Sequence, residues 1–556
     1  MPHDPRQREM RTYSRRQALG LMSGWLVAAG MTTTGCSTVS VQEEQPSQPV
    51  GQILPAKLAM IHTASVEGCF EQSDTCLGIS AVAQLRSSYE QNGYDVLLLD
   101  GGNTLGGSQL VDLSQGESGV GILNASSYDA LCLGCRELAL GSKTLAKRES
   151  QADWTLLSAN ATDADDHEAL GTGQLVRTLS DGRLVGIFAI TAPAEEDTLP
   201  PLVAAHTSFQ EDKLTELAQQ QVAELREQDC RLVVCLTNLT KDKAVRLAKG
   251  VSGIDVVLAT AGNWDAIRLE DASSEEMLLV CTPHRLEGAG VVTWELGKLS
   301  ARMVAPGDLY LVDEQVEALV TQTSLDVDDQ LSKVLTASDE TLSFHQSDQR
   351  ETILGDLVAD ALLWEASHGL QSSPDAALID GTSLQASLGP HDITRADALV
   401  TCPLGTAPLC TVETSGAELH DLLERAIVGT GEEGGSFLQM TGIDCTLQDE
   451  EGKVSLTIDK VDGRDFSPTA RYDIVTTQHL ASGATGLPPL TTGWDDVRDL
   501  ETCAGLALAD YLAHECKGRL PKRYEQTQGH IRKSERHEES KGEDEPTEED
   551  GEASRH

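Results

Sequence analysis

Aromatic residues make up only 4% of this chain, and its 42 Lys and Arg are outnumbered by 88 Asp and Glu. A formal net charge of −46 leaves no basic face for phosphates. Few rings are available to stack on bases. Nucleic acid is therefore excluded as a partner, and the surplus negative charge suits a solvated surface outside the cell. None of the 14 histidines falls in an H-x-x-x-H or H-E-x-x-H spacing, so a helix-borne zinc site is not encoded. His284 and His391 stand alone, and His530, His537 and His556 belong to the C-terminal tail.

What the N-terminus does hold is a targeting pattern. In "SRRQALGLMSGWLVAAGMTTTGC", Arg15 and Arg16 precede an apolar run from Ala18 to Met31 and small residues leading to Cys36. The run is shorter than the roughly 20 residues a spanning helix needs. Residues 1–35 read as a twin-arginine export signal ending in a lipobox-like "TTGC", with Cys36 as the lipidated residue that anchors the chain to the outer face of the membrane. Without lipidation the chain is secreted. The polar stretch to residue 55 reads as a tether. Export leaves twelve further cysteines in an oxidising compartment, an even number that predicts several disulfides. Cys69 with Cys76 and Cys230 with Cys235 are local candidates, whereas the C-x-x-C of Cys132 and Cys135 reads as structural.

Past the tether, short apolar runs alternate with amphipathic stretches. "KLAMIHTAS", "DVLLLDGGN", "DALCLGC", "WTLLSAN", "LVGIFAIT", "RLVVCLTN", "IDVVLATAG" and "MLLVCTP" each read as a buried strand, several closing on a turn of Gly, Asn, Ser or Thr. Between them, "GISAVAQLRSSYEQ" and "EDKLTELAQQQVAELREQ" read as helices, the second gathering Leu214, Leu217, Val222 and Leu225 toward one face. This alternation predicts an α/β domain whose ligand site lies where the strands end.

The order of the strand-end segments carries a resemblance. "HTASVEG", "LLLDGGNTLGGS", "YDALCLGCRELALG", "LSANA", "CLTNLT" and "IDVVLATAGNW" resemble the successive motifs of the metallophosphoesterase domain of the bacterial 5'-nucleotidase family. "ETILGDLVADALLWEAS", "AALIDGTSLQA", "ITRADALVTCPLGT", "SGAELHDLLE", "GSFLQMTGIDCTL" and "YDIVTTQHLASGATGL" are similar to the family's substrate-binding C-terminal domain. The resemblance implies a four-layer α/β metallophosphoesterase-like sandwich over residues 56–305, a helical linker over 306–345 and a smaller α/β C-terminal domain over 346–520. The charged remainder, 521–556, reads as a disordered acidic tail. Ser415 reads as the N-cap of a helix in "SGAELHDLLERA".

The family's activity uses two divalent metal ions held by carboxylates, an amide and imidazoles. Carried over motif by motif, the family's first Asp and His fall on Ser65 and Glu67, its bridging Asp on Asn103, and its Asn and His on Cys135 and Arg136. Its later histidines fall on Asn238, Ala261 and Asn263. None of the eight matches, although the shape residues Gly134 and Glu137 are kept. Arg136 brings a fixed cation to the place of a ligand, and it is expected to pair with Glu67. In the second half Asp380 and Gln385 replace the family's substrate-binding Asn and Arg, Leu404 and His479 its base-stacking aromatics, and Thr485 the Asp of its closing motif. The pattern implies a non-catalytic binding or interaction module without metal cofactors, with an unidentified ligand or protein partner. The alternative is a nucleotide or phosphoester hydrolase with a rebuilt metal site.

Overall fold

The computed structural model describes residues 56–534 apart from 193–198, 310, 370–372, 405–407, 430–436, 451–452, 484–485 and 492. Arg15, Arg16, Cys36 and Thr485 lie outside the described residues, as do the signal, the tether and the chain after Ser534. Contacts divide the chain into two units. The first takes the residues up to Leu335 with Thr394–Pro408 and Glu501–Leu506, and the second takes the rest.

Each apolar run of the first unit becomes a strand buried on both faces. β1 (Lys57–Thr63), β2 (Tyr94–Asp100), β3 (Ala130–Cys132) and β4 (Thr155–Leu157) pair in parallel. Strands Ala289–Glu295 and Lys298–Val304 extend this sheet antiparallel beyond β1. A second sheet has β5 (Leu184–Ile190), β6 (Cys230–Thr237), β7 (Val256–Thr260) and β8 (Glu276–Thr282) in parallel, with an antiparallel strand at each edge. Leu58, Met60, Leu97 and Leu99 of the first sheet share one core with Val185, Ile187, Val234 and Val256 of the second, so the sheets pack face to face. Each such side chain contributes about 1.5–3 kcal/mol when fully buried.

The outer faces are covered by helices. On the first sheet α1 (Ile79–Gln91) buries Ile79, Val82 and Leu85. On the second, α2 (Leu214–Glu227) buries Ala218, Val222 and Leu225, and α3 (Lys241–Gly250) buries Ala244, Leu247 and Ala248. The result is the four-layer α/β/β/α sandwich that the resemblance implied. The expected linker differs from expectation. Its helix α4 (Glu314–Ser332), capped by the Asp313 side chain, sinks Val316 and Val320 into the first unit's core, so this stretch is part of that unit's cover.

In the second unit, α5 (Ile353–Gly369) packs on a mixed sheet that includes β9 (Ala376–Asp380). α6 (Gly416–Val428) starts at Ser415, which forms a capping box with Glu418. A separate sheet pairs β10 (Ile443–Glu450) with Lys453–Val461 on one side and, in parallel, with β11 (Ile531–Lys533) on the other. β11 corrects the tail boundary. Residues 521–534 are folded, because Tyr524 is buried and the chain after it is held by carboxylates of the second unit.

The cysteine expectation also needs correction, since no disulfide joins Cys69 to Cys76 or Cys230 to Cys235. Cys230 and Cys235 stand on one strand, five residues apart. At about 3.3 Å per residue their separation far exceeds the span of a disulfide. Cys69 and Cys76 face each other across a turn, yet the Cys76 thiol points at the Cys69 carbonyl oxygen, 3.7 Å away.

Candidate functional site

All eight positions follow the carboxyl ends of parallel strands, six on loops and two, Cys135 and Arg136, at the start of the short helix Cys135–Leu138. Ser65 and Glu67 follow β1, Asn103 follows β2, Cys135 and Arg136 follow β3, Asn238 follows β6, and Ala261 and Asn263 follow β7. Beneath this rim lies Glu137, which is fully buried. Its carboxylate accepts the backbone N–H of Asn103 (2.9 Å), Thr104 (2.7 Å), Leu105 (2.9 Å) and Gly134 (3.0 Å). One anion thus locks the β2 loop to the β3 loop with four charge-assisted bonds. Gly134 permits the approach, since a Cβ there would lie 2.5 Å from Asn103 Oδ1 and 2.7 Å from its backbone nitrogen.

A second buried net fixes the floor. Asp100, at the end of β2, accepts the hydroxyls of Thr63 and Thr104 and the N–H of Gly102. Burial pushes its pKa up to about 7 against the pull of those bonds. Tyr128 joins through the Thr63 hydroxyl at 2.9 Å. His62 sits nearby with Nδ1 2.7 Å from Thr282 Oγ1, and burial lowers its pKa to about 3, so the ring is neutral. These residues support the loops from below; sequence reasoning did not identify the Asp100 net, whose Thr, Asp and Tyr carry no spacing signal.

At the rim itself the side chains are taken up by protein contacts. Asn103 Oδ1 accepts the Arg136 N–H at 3.1 Å. The Asn238 amide donates to the Leu133 carbonyl at 3.0 Å and accepts from the Ala192 N–H, joining the loops after β3, β5 and β6. Asn263 is exposed, and Ala261 is held through its backbone by Thr282. Ser65, Glu67, Asn103, Cys135, Arg136 and Asn238 are thus brought into one network of loops, which Ala261 and Asn263 border.

The expected pairing of Glu67 with Arg136 is not formed. Glu67 Oε2 instead lies 3.4 Å from Arg285 Nη1. The Arg285 N–H bonds to the Ser65 carbonyl at 2.9 Å, which carries that guanidinium to the rim. Arg136 runs along the glycine loop: a Cβ on Gly106 would be 3.7 Å from its Cδ, and one on Gly107 3.5 Å from its Cζ. Its charge there lowers the pKa of Asp112 against a larger upward effect of burial. Arg285 was missed from sequence because a single Arg after a strand carries no distinguishing pattern.

The rim is also strained. Ser65 (φ 44°), Glu67 (53°), Asn103 (60°), Arg285 (52°) and Leu286 (55°) adopt the left-handed region without being glycine. Each such residue costs on the order of 1 kcal/mol. They are bound to one another, with Ser65 N–H on the Gly102 carbonyl (3.0 Å) and Glu67 N–H on that of Asn103 (3.1 Å).

The substrate positions Asp380, Gln385 and His479 lie in the second unit. Asp380 is buried at the end of β9 and accepts the N–H and hydroxyl of Thr382. Gln385 is exposed, while His479 is half-buried on the short helix Gln478–Ser482 with Nδ1 lacking a hydrogen-bond partner. Leu404 is half-buried and is counted with the first unit. The described hydrogen bonds do not join these residues to one another.

The double sheet with its strand-end rim, followed by a second α/β unit, defines a metallophosphoesterase-type domain joined to a 5'-nucleotidase-type C-terminal domain. The family described as "5'-nucleotidase, C-terminal domain" matches residues 332–492. The chain is 25% identical over 535 residues to a 5'-nucleotidase of Vibrio cholerae, covering 86% of this chain and 93% of that one. It is 22% identical over 506 residues to Protein UshA of Salmonella pullorum, covering 80% and 88%. Its fold is similar to a Staphylococcus aureus structure described as a candidate 5'-nucleotidase, with a TM-score of 0.50 at 17% identity over 86% of this chain and 100% of that one. The second half of the chain thus carries the 5'-nucleotidase C-terminal domain, and the chain as a whole is similar in sequence to 5'-nucleotidases.

Proposed function

We propose that the chain is an exported, lipid-anchored member of this family that has lost its two-metal site and acts as a non-catalytic binding or interaction module at the cell surface. The observation that supports this most is the use of the ligand positions. Two divalent ions need several carboxylates and imidazoles converging on open space. Here Asn103 is committed to the Arg136 backbone, Asn238 to two loop peptides and Glu67 to Arg285. Among the described residues no group of three or more His, Cys, Asp or Glu is placed to hold a metal ion. The side chains present do not fit a dimetal centre, and no hydrolytic step is derived through one.

The kept strain and the kept Glu137 clamp support a surface still in use, because strained backbone persists where the surroundings over-determine it. Arg136 and Arg285 bring two guanidinium groups to the rim, the second paired with Glu67. Export and anchoring rest on Arg15, Arg16 and Cys36 in the sequence. A second reading, hydrolysis of nucleotides or other phosphoesters at a rebuilt site, is favoured by the names of the relatives. Elemental analysis after incubation with manganese and zinc, paired with a nucleotide-hydrolysis assay, separates the two. Near-stoichiometric metal with turnover abolished in Glu67→Ala means a rebuilt site; absence of both supports the binding module.

A further inference from the structure

The C-terminal segment from Lys522 to Ser534 crosses the second unit as a strap, and its attachments are unusual in kind. Glu351, just before α5, accepts the backbone N–H of Gly529 (2.8 Å), His530 (3.0 Å) and Ile531 (3.3 Å). Asp356 on α5 accepts that of Gln528 at 2.8 Å. Asp360, one turn further, accepts the Tyr524 hydroxyl and the Gln528 side-chain amide, both at 2.8 Å. Beyond the carboxylates, β11 pairs with β10 through the Cys445 N–H on the His530 carbonyl (2.7 Å) and the Ser534 N–H on that of Leu447 (2.9 Å).

Three carboxylates side by side repel unless one carries a proton. Asp356 is fully buried, and its Oδ1 has no hydrogen-bond partner as a bare carboxylate. Glu351 already receives three N–H donors and its side chain is also within hydrogen-bond contact of Asp356; two carboxyl groups can bond only through a proton, and the buried Asp356 carries it. We propose that residues 522–534 are a latch whose hold depends on a proton shared between Asp356 and Glu351, and that loss of this proton releases the strap and uncovers the edge of β10. Burial and the neighbouring charges of Glu351 and Asp360 push Asp356 up to about 8, while the Gln528 N–H pulls the other way. Arg523 is the strap's own cation here, with Nε 3.8 Å from Asp360 Oδ2. The leading charges acting on Asp356 are those of Glu351 and Asp360. Once open, the β10 edge from Cys445 to Leu447 is left with unpaired backbone groups.

Hydrogen exchange of the full mature chain, corrected for intrinsic rates, tests this at about pH 6 and about pH 9 on the amides of Gln528 to Ile531. Protection is expected to fall about tenfold or more at the higher pH in the native protein and to stay level in Asp356→Asn, whose amide donates to Glu351 permanently. Equal protection at both pH values in the native protein, or the same fall in Asp356→Asn, would overturn the latch. Should Asp356→Asn fail to fold, Glu351→Gln gives an independent reading. Removing that negative charge must move the midpoint of strap opening to lower pH, and an unmoved midpoint rejects the proposal.

Discussion

The strand-end rim and the polar layer just beneath it differ in what their side chains bind within the same unit. Beneath, Glu137 holds four backbone N–H groups and Asp100 holds two hydroxyls and a fifth N–H, all buried except the partly buried N–H of Asn103. Above, all eight positions where the family's ligands fall carry other side chains: Asn103 and Asn238 bond to neighbouring peptides and Glu67 pairs with Arg285. The scaffold can be kept while the chemistry changes because the two use different atoms. Loop shape is set by backbone donors answering to one buried carboxylate, whereas metal binding depends on side chains pointing outward.

The contrast can be broken most drastically by restoring the outer layer. A variant carrying Ser65→Asp, Glu67→His, Asn103→Asp, Cys135→Asn, Arg136→His, Asn238→His, Ala261→His and Asn263→His is expected to bind manganese or zinc near stoichiometrically, read by elemental analysis. If the loops no longer hold the family's geometry, no metal is retained. Striking the lower layer gives the largest effect on stability. Glu137→Ala strands four buried donors and is expected to cost about 3–5 kcal/mol in denaturant unfolding; a loss below about 1 kcal/mol would mean water replaces the clamp.

His62 extends the comparison to pH. Its folded pKa, about 3, lies below the unfolded value, so the stability it contributes is present above about pH 6.5 and lost as pH falls toward 3. Asp100 acts in the opposite sense: raised to about 7, it favours the fold at low pH, and that contribution fades as pH rises through neutrality. Thermal midpoints of His62→Gln against the native chain should therefore converge on acidification. Smaller changes belong to the rim. Asn103→Ala loses the bond to Arg136 and the residue type that best tolerates φ 60°, and a loss of about 1–2 kcal/mol is expected. Glu67→Ala, breaking a partly exposed pair, should change stability by less than about 1 kcal/mol.

The strands and the order of their terminal motifs were readable because buried parallel strands leave near-continuous apolar runs. The α/β class followed from that alternation, and the sandwich and the substituted positions followed from the resemblance. What resisted was anything set by tertiary approach. Glu67 was expected to find Arg136, but the Ser65 carbonyl draws the Arg285 backbone to the rim from a loop more than two hundred residues away in sequence. The tail was read as solvated from its charge. Tyr524 and the carboxylates of α5 hold its first part against the fold, and no local pattern announces that. Cys230 and Cys235 were counted as partners, although the strand that contains them keeps them apart.

The most direct test of the central claim is the metal content of the purified mature chain after incubation with manganese and zinc, measured together with nucleotide hydrolysis on the same sample. The account predicts a folded protein with neither bound metal nor turnover. Near-stoichiometric metal with hydrolysis that disappears in Glu67→Ala would contradict it and return the rim to catalysis.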